Sequence, residues 1–553
     1  MDVGAIVLTL LQPCVVSECA AEVEILIDAN APIGLSEINS IPECGTLLPT
    51  PDSSEEQYQP GENRTGYQSF FPICSLLLSN YLVILKSHLE HINKTNPPPR
   101  VNKLRYEMVV CGEVRRKLNY KGIWIDEGYR YRDPKKDEPS DFDKNKEQYY
   151  KELGLPLDVQ EFISLLKADV TNCLSSLNET ILANDKVTLS DKKGGHIKIS
   201  PSLPQKLPEN LVDLHNEIIK RWGYINLIDA FQESNVCIGF TRHLETVGKY
   251  SNMDTDNLAL RLLLSLYAIC TNTGLKRISI DNPDVNEADL HYVKRRCINQ
   301  TNVKLAIREV INAVISIRDP AIFGTATTTV ACDSKKLNSW DQNLMNEWHG
   351  RYKGHGIMVY WHVDTNALCI HSQSKTCTSS EVGSMIKGIL QHSTQMDLNA
   401  AYVDTHGQST IGFGVGQLLN FELLPRLKNI HKQKLYTVSD SDKQSYANLS
   451  AILKDSIQWK HIEADYHEAV KHIIALKHGL VEADVFVKRF SKDNYKHPAY
   501  KALCEIGKAT KTIFLCKYLQ QEELRIEINA GLNVVERLNG VMNFFFYGKL
   551  QST

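Results

Sequence analysis

From about residue 76 to 180 the apolar positions recur at helical spacing, as in EFISLLKADVTNCLSSLNETIL over 161–182, and this pattern predicts helices. The charged break YRYRDPKKDEPSDFD (129–143) reads as a loop. KVTLSDKKGGHIKIS (186–200) alternates apolar and polar residues on both sides of a Lys-Lys-Gly-Gly centre, which predicts a β-hairpin that Pro201, Pro204 and Pro208 then close. Helical spacing resumes from 209 to about 318 and includes the apolar run LALRLLLSLYAIC (258–270).

The texture then changes. TATTTVACDS (325–334) is β-branched, and GIMVYWHVDTNALCIHSQS (356–374) reads as two strands joined at Asp364-Thr365-Asn366. SSEVGSMIKGILQH (379–392) has a helix start and period, and LNAAYVD (398–404) is strand-like again. Strand, hairpin, helix and strand in this order predict an α/β unit. Helical patterns dominate from about 411 to 516, and a last helical segment surrounds GLNVVERLNGVMNFFFYG (531–548). Residues 31–68 are rich in Pro, Ser, Glu and Gly without periodicity and read as loop or disorder. The most membrane-like stretch, Ser69 to Lys86, is interrupted by Pro72, Ser75, Ser79 and Asn80, so a buried helix is expected there rather than a span.

Composition refines this picture in two ways. The formal charge is −3 (62 Lys+Arg against 65 Asp+Glu), but residues 1–80 hold eleven acids and only Arg64, a local −10, which leaves 61 against 54, or +7, on the rest. Near-neutrality thus conceals an acidic leader on a mildly basic body. The fourteen cysteines are scattered with no CxxC pair, which suits reduced thiols in an intracellular protein and argues against a structural zinc site.

Two predicted strands end in an aspartate, Asp333 in VACDSKK and Asp404 in YVDTHGQS. Carboxylates at strand ends of one sheet can converge on a hard divalent cation, and a third from a crossing helix would complete a two-metal site for phosphoryl transfer. Glu522, Glu523, Glu527 and Glu536 all qualify for that third position, and strand-end aspartates also serve as turn formers or caps. Basic residues crowd the two motifs, among them Lys335, Lys336, Arg351, Arg426 and Lys434, as a DNA backbone would require or a solvated face would allow. His406 stands beside Asp404 and could assist proton transfer. Gly412, Gly414 and Gly416 lack phosphate-loop spacing and are read as small residues for close helix packing.

Several segments, in order, resemble the Tn-three family transposases of class II replicative transposons. RDPAIFGTATTTVACDSKKLNSWDQNLMNEWHGRYKGHGIMVYWHV (318–363), AAYVDTHGQSTIGFGVGQLLNFELLPRLKNIHKQKLY (400–436) and YLQQEELRIEINAGLNVVERLNGVMNFFFYGKL (518–550) are similar to the catalytic region of that family. GIWIDEGYRYRDP (122–134), YYKELGLPLD (149–158), GFTRHLETVGKY (239–250) and TNTGLKRIS (271–279) extend the likeness upstream, from about residue 105 to the end. The sequence departs from many members at Ser334-Lys335-Lys336, where a Gly is common, and at Val534-Val535.

The resemblance implies an RNase H-like α/β catalytic core, a mixed sheet with helices, over 319–553, with a helical insertion at about 411–516. It is preceded by a mainly helical DNA-binding or scaffold region (76–318), itself carrying the hairpin near 186–200. Residues 1–75 form an atypical acidic segment where the family's end-recognition region is missing or replaced. Carried over residue by residue, the family's two aspartates and glutamate fall on Asp333, Asp404 and Glu536, which would bind two Mg²⁺ ions, with Mn²⁺ as a substitute. The implied activity is that of a DDE transposase: 3′-end cleavage at transposon ends and strand transfer into target DNA. The alternatives are an inactive remnant that only binds DNA, or another RNase H-like nuclease. DNA contacts are expected from Lys335, Lys336, Arg351, His406, Arg426 and Lys434. The implied partners are double-stranded DNA, from element ends and target, and a second copy of the chain on that DNA. The expected location is the cytoplasm or nucleoid, with no membrane.

Overall fold

The computed structural model describes residues 103–126, 128–191, 195–201, 208–223, 226–246, 254–323, 328–339, 343, 346–350, 352–377, 379–392, 394–404, 407–494 and 497–548. The acidic segment 1–75, the stretch Ser69 to Lys86, and the residues Arg351 and His406 lie outside the described residues. Contacts divide the chain into two units at residue 134. The first is described from helix α1 (Lys103–Asn119) onward, where Glu113 pairs with Arg116 one turn away at 2.6 Å.

The second unit begins with α2 (Lys146–Leu153), ended by Gly154 in the left-handed conformation (φ 68°), and α3 (Val159–Thr180). Asp158 starts α3 by accepting from the Gln160 N–H (3.0 Å), which satisfies one of the orphan donors of the first turn. Phe162, Leu166, Val170, Leu174 and Leu177 bury a stripe at steps of three and four. β1 (Val187–Ser190) and β2 (His196–Ile199) pair antiparallel. Helices α4 (Leu211–Trp222), α5 (Leu227–Ile238), α6 (Thr255–Cys270), α7 (Leu275–Asp281), α8 (Glu287–Arg296) and α9 (Gln300–Ile317) follow.

A six-stranded mixed sheet occupies the next stretch: β3 (Thr329–Leu337), β4 (Glu347–His349), β5 (Gly354–Asp364), β6 (Cys369–Lys375), β7 (Ala400–Val403) and β8 (Glu422–Pro425). β3 lies between antiparallel β5 and parallel β7, β8 flanks β7 in parallel, and β4 and β6 both pair with β5. Asp364 closes the β5–β6 turn by accepting from Asn366 (3.0 Å) and Leu368 (2.7 Å), and Arg318 neutralises its buried carboxylate at 2.5 Å. α10 (Glu381–Gln391) bridges β6 and β7, and α11 (Thr410–Leu419) makes the crossover that two parallel strands require. The helical reading of 411–516 is therefore incomplete, since β8 belongs to the main sheet and β9 (Leu435–Thr437) and β10 (Leu453–Ser456) form a small parallel pair.

Helices α12 (Trp459–Lys477), α13 (Ala483–Arg489), α14 (Pro498–Gln520) and α15 (Glu522–Tyr547) complete the unit. α3 shares the core with α12: Phe162 stacks on Tyr466 at 4.7 Å and the Tyr466 hydroxyl donates to the Pro156 carbonyl at 2.9 Å. α11 and α14 cross almost backbone to backbone. A Cβ on Gly414 would lie 2.3 Å from the Leu503 carbonyl oxygen, and one on Gly507 only 1.9 Å from that of Thr410. This crossing, rather than a phosphate loop, is what the glycine run 412–416 serves. No helix among the described residues is long and apolar enough to cross a membrane.

Candidate active site

Successive residues of a strand face opposite sides of its sheet, so Ala331, Asp333 and Lys335 share one side of β3. The parallel register sets Ala331 beside Tyr402 and Cys332 beside Val403, which brings Asp404, one position on, alongside Asp333. On the opposite side Ser334 donates to Glu381 at the start of α10 (2.9 Å), and His362 sits so close to α10 that a Cβ on Gly388 would be 1.9 Å from its ring.

α15 runs along the aspartate side. Its Gly531 meets the Tyr402 ring, which an added Cβ would approach to 2.4 Å, and its Tyr547 hydroxyl accepts from the Asn338 N–H at 3.1 Å. The sixteen helical steps from Gly531 to Tyr547 advance about 24 Å, and the seven steps from Ala331 to Asn338 about 23 Å, so helix and strand run in step. Glu536, about 7.5 Å beyond Gly531, is then level with Asp333, about 7 Å beyond Ala331.

Arg426 joins two of the acids. Its backbone N–H continues the β7–β8 ladder by donating to the Val403 carbonyl (2.9 Å). Its guanidinium lies 3.4 Å from the Asp404 carboxylate and 3.7 Å from that of Glu536. Glu536 is 55% exposed, so it is open to a ligand. Of the other three glutamates, Glu527 receives the Tyr402 hydroxyl hydrogen bond, while Glu522 and Glu523 occupy the first turn of α15. Glu381, which carries no signature in the sequence, stays on the opposite side with Lys375 3.7 Å away, and only its charge reaches Asp333.

Burial pushes the Asp333 carboxyl up to about 6; the Ser334 N–H (2.7 Å) opposes this, and the charges of Asp404, Glu381 and Glu536 add to it. The folded value exceeds the unfolded one, so the folded chain keeps a proton that the unfolded chain has lost between about pH 4 and 6. Stability contributed by this group is full below about 4 and is lost as pH rises through 6, a penalty of at most about 3 kcal/mol. Asp333→Asn is therefore expected to raise the melting temperature in EDTA at pH 7.5 by a few degrees and to change little at pH 4.5. Equal shifts at the two pH values would show that ionisation is not the cause.

The basic residues are distributed unevenly. Lys335 is half-buried on the Asp333 side, and burial lowers its pKa against the pull of Asp333. Lys336 points to the other side, over the Tyr352 ring at 6.0 Å. Lys434 is not brought to the acids: its ammonium donates to the carbonyls of Gly195 and Ala451, both at 3.2 Å, and so ties the hairpin loop to the 447–452 turn. Glu138, Glu468 and His472 form a separate group with metal-type side chains. Lys471 (2.5 Å) and Arg489 (3.6 Å) both pair with Glu138, and His472 (3.2 Å) with Glu468, so its carboxylates already have partners within the protein.

Residues 229–553 match the family model described as Tn3 transposase DDE domain. That domain implies an RNase H-like fold and use of a divalent metal, and the mixed sheet with helices on both sides is compatible with it. The chain is 25% identical over 469 residues to the transposase for transposon Tn2501 of Escherichia coli, covering 82% of this chain and 45% of the relative. It is 23% identical over 450 residues to the transposase for transposon Tn1546 of Enterococcus faecium (81% and 45%) and 21% identical over 456 residues to that for transposon gamma-delta of Escherichia coli (81% and 45%). The chain thus spans less than half the length of these curated relatives.

Proposed function

The chain belongs to the Tn3 transposase DDE family, and from that premise we propose that it cleaves DNA at the ends of a transposon and joins the released ends to target DNA. The observation that carries this reading is the cation bridge of Arg426 between Asp404 and Glu536, level with the half-buried Asp333. Three carboxylates that share so little positive charge call for a further cation, and an all-oxygen donor set suits Mg²⁺ or Mn²⁺. Asp333, Asp404 and Glu536 would hold it. Two such ions supply an activated water and stabilise the leaving oxygen of an in-line phosphoryl transfer.

The side chains then have distinct tasks. Asp333 must be ionised to act as a ligand; its raised pKa of about 6 makes this harder than for an ordinary aspartate but leaves the carboxylate the major form near neutrality. Arg426 interacts with its carboxylates at long, partly exposed distances, a contact worth at most about 1 kcal/mol. It can therefore exchange them for a non-bridging oxygen of the scissile phosphate, with Lys335 on the same side. Water adds to that phosphorus as the bond to the 3′ oxygen breaks, and the freed 3′-OH repeats the displacement on a target phosphodiester. Paired ends require two copies of the chain on the DNA. The helices before β3 and those between β8 and α15 would form the scaffold around duplex DNA, in the cytoplasm at the nucleoid.

A linear duplex ending in the element's inverted repeat, incubated with Mg²⁺ or Mn²⁺, tests the reading through the strand-transfer product; cleavage without any joining would reduce it to a nuclease. Arg426→Ala is expected to slow cleavage roughly 10–100-fold and to reduce the salt dependence of duplex binding by about one counterion. An unchanged salt slope would remove Arg426 from the phosphate.

A further inference from the structure

On the sheet side away from the acids, a cavity of about 270 Å³ opens between α9, the edge strand β6 and α10. Lys304 and Arg308 line it from α9, four residues and about one turn apart, and Lys387 from α10. No carboxylate lines it, and none of the three cations has an ion-pair partner among the described residues. Three like charges without a counter-charge around one concavity give it a positive potential that an anion would answer.

A second observation points into the same space. His371 on β6 lines the cavity, and its Nε2 is shielded from solvent without a hydrogen-bond partner. A buried polar atom left unpaired costs about 1–3 kcal/mol, a cost that a ligand oxygen in the cavity would relieve. Burial, His362, Lys304 and Lys387 hold the ring well below its ordinary pKa, so it is neutral and can present Nε2 as an N–H donor. Gln300, the first residue of the eighteen-residue helix α9, also lines the cavity and adds a side-chain amide. Ser374 adds a hydroxyl on the strand side.

We propose that this cavity is a phosphate-binding site, separate from the three acids, in which Lys304, Arg308 and Lys387 supply the charge and His371 a directed donor. Its ligand is a tetrahedral phosphate oxyanion, carried either by a DNA backbone or by a free phosphate ester. The cavity is large enough for one phosphate and its ester substituent but small for an extended cofactor, whose sites typically start near 300 Å³.

Titration of the full chain with inorganic phosphate in EDTA, followed by phosphorus NMR, tests this without involving the acids or cleavage. A failure here leaves the transposase reading standing, and a failure of cleavage leaves this site standing. Saturable binding with a Kd below about 10 mM is expected. It should weaken at least tenfold in Lys304→Gln/Lys387→Gln and severalfold in His371→Phe, while the charge-conserving Lys304→Arg/Lys387→Arg retains it. Circular dichroism checks that each variant is folded. Displacement of the phosphate by a short duplex of arbitrary sequence identifies a backbone phosphate as the source, and retention identifies a free ester; both uphold the site. No saturable binding to the wild-type chain, or equal binding to the glutamine double variant, would overturn it.

Discussion

Asp404→Ala is expected to abolish metal-dependent cleavage of element-end DNA, a loss on the order of 10³-fold or more, while the chain stays folded. Asp404 follows the last residue of β7 and is 26% exposed, so its side chain contributes little packing. Its removal takes away one carboxylate and one of the two partners of Arg426. It also removes a like charge whose effect on Asp333 is smaller than that of burial, so that pKa should fall only slightly and melting in EDTA should change little. Asp333→Ala and Glu536→Ala should match the loss. Glu527→Gln provides the contrast: its carboxylate is occupied by the Tyr402 hydroxyl, and a tenfold effect or less is expected. Cleavage that persists in Asp404→Ala at saturating Mn²⁺ would refute the three-acid site. An equal loss in Glu527→Gln would shift the third position to that residue.

The largest effect on stability is expected from Gly507→Ala. One methyl group there would sit 1.9 Å from a backbone oxygen of α11 and 2.8 Å from its carbon, and no rotamer change relieves a clash with backbone. The helices must part, which opens packing around Phe413 and Phe514, whose rings lie 5.6 Å apart. Overpacking of this kind costs about 3 kcal/mol, even though alanine has the higher helix propensity. Urea unfolding measures it, and a midpoint unchanged or raised would show that the crossing is looser than described. Gly414→Ala, 2.3 Å from a carbonyl oxygen, should behave alike.

The family was legible in the sequence because its motifs are colinear over most of the chain, and the match over 229–553 shows the same membership. Long periodic segments were legible too: the spacing over 161–182 corresponds to α3, whose buried stripe is its cause. β8 was not. Its four residues, Glu-Leu-Leu-Pro, are buried apart from the first and show no alternation, so within a helical texture they read as helix. The choice among four glutamates was equally closed to spacing. Glu527 and Glu536 are nine residues apart, about 180° around α15, and only the path of that helix beside β3 decides which flank meets Arg426. The reverse error arises at Lys434, whose nearness in sequence to the second aspartate motif says nothing about the two carbonyls that hold its ammonium. The phosphate cavity is invisible for the same reason, because Lys304, His371 and Lys387 belong to three elements that meet only in space.

The Gly414–Gly507 crossing joins α11, which begins just after Asp404, to α14, which leads directly into the helix of Glu536. Glu536 follows Asp404 by 132 positions. At synthesis rates of about 5–20 residues per second, a growing chain holds the first two acids for roughly 7–26 s before the third is made. Until α14 has emerged and locked against α11, nothing sets the place at which Glu536 arrives. Translation itself thus imposes a delay before the proposed three-acid site can assemble.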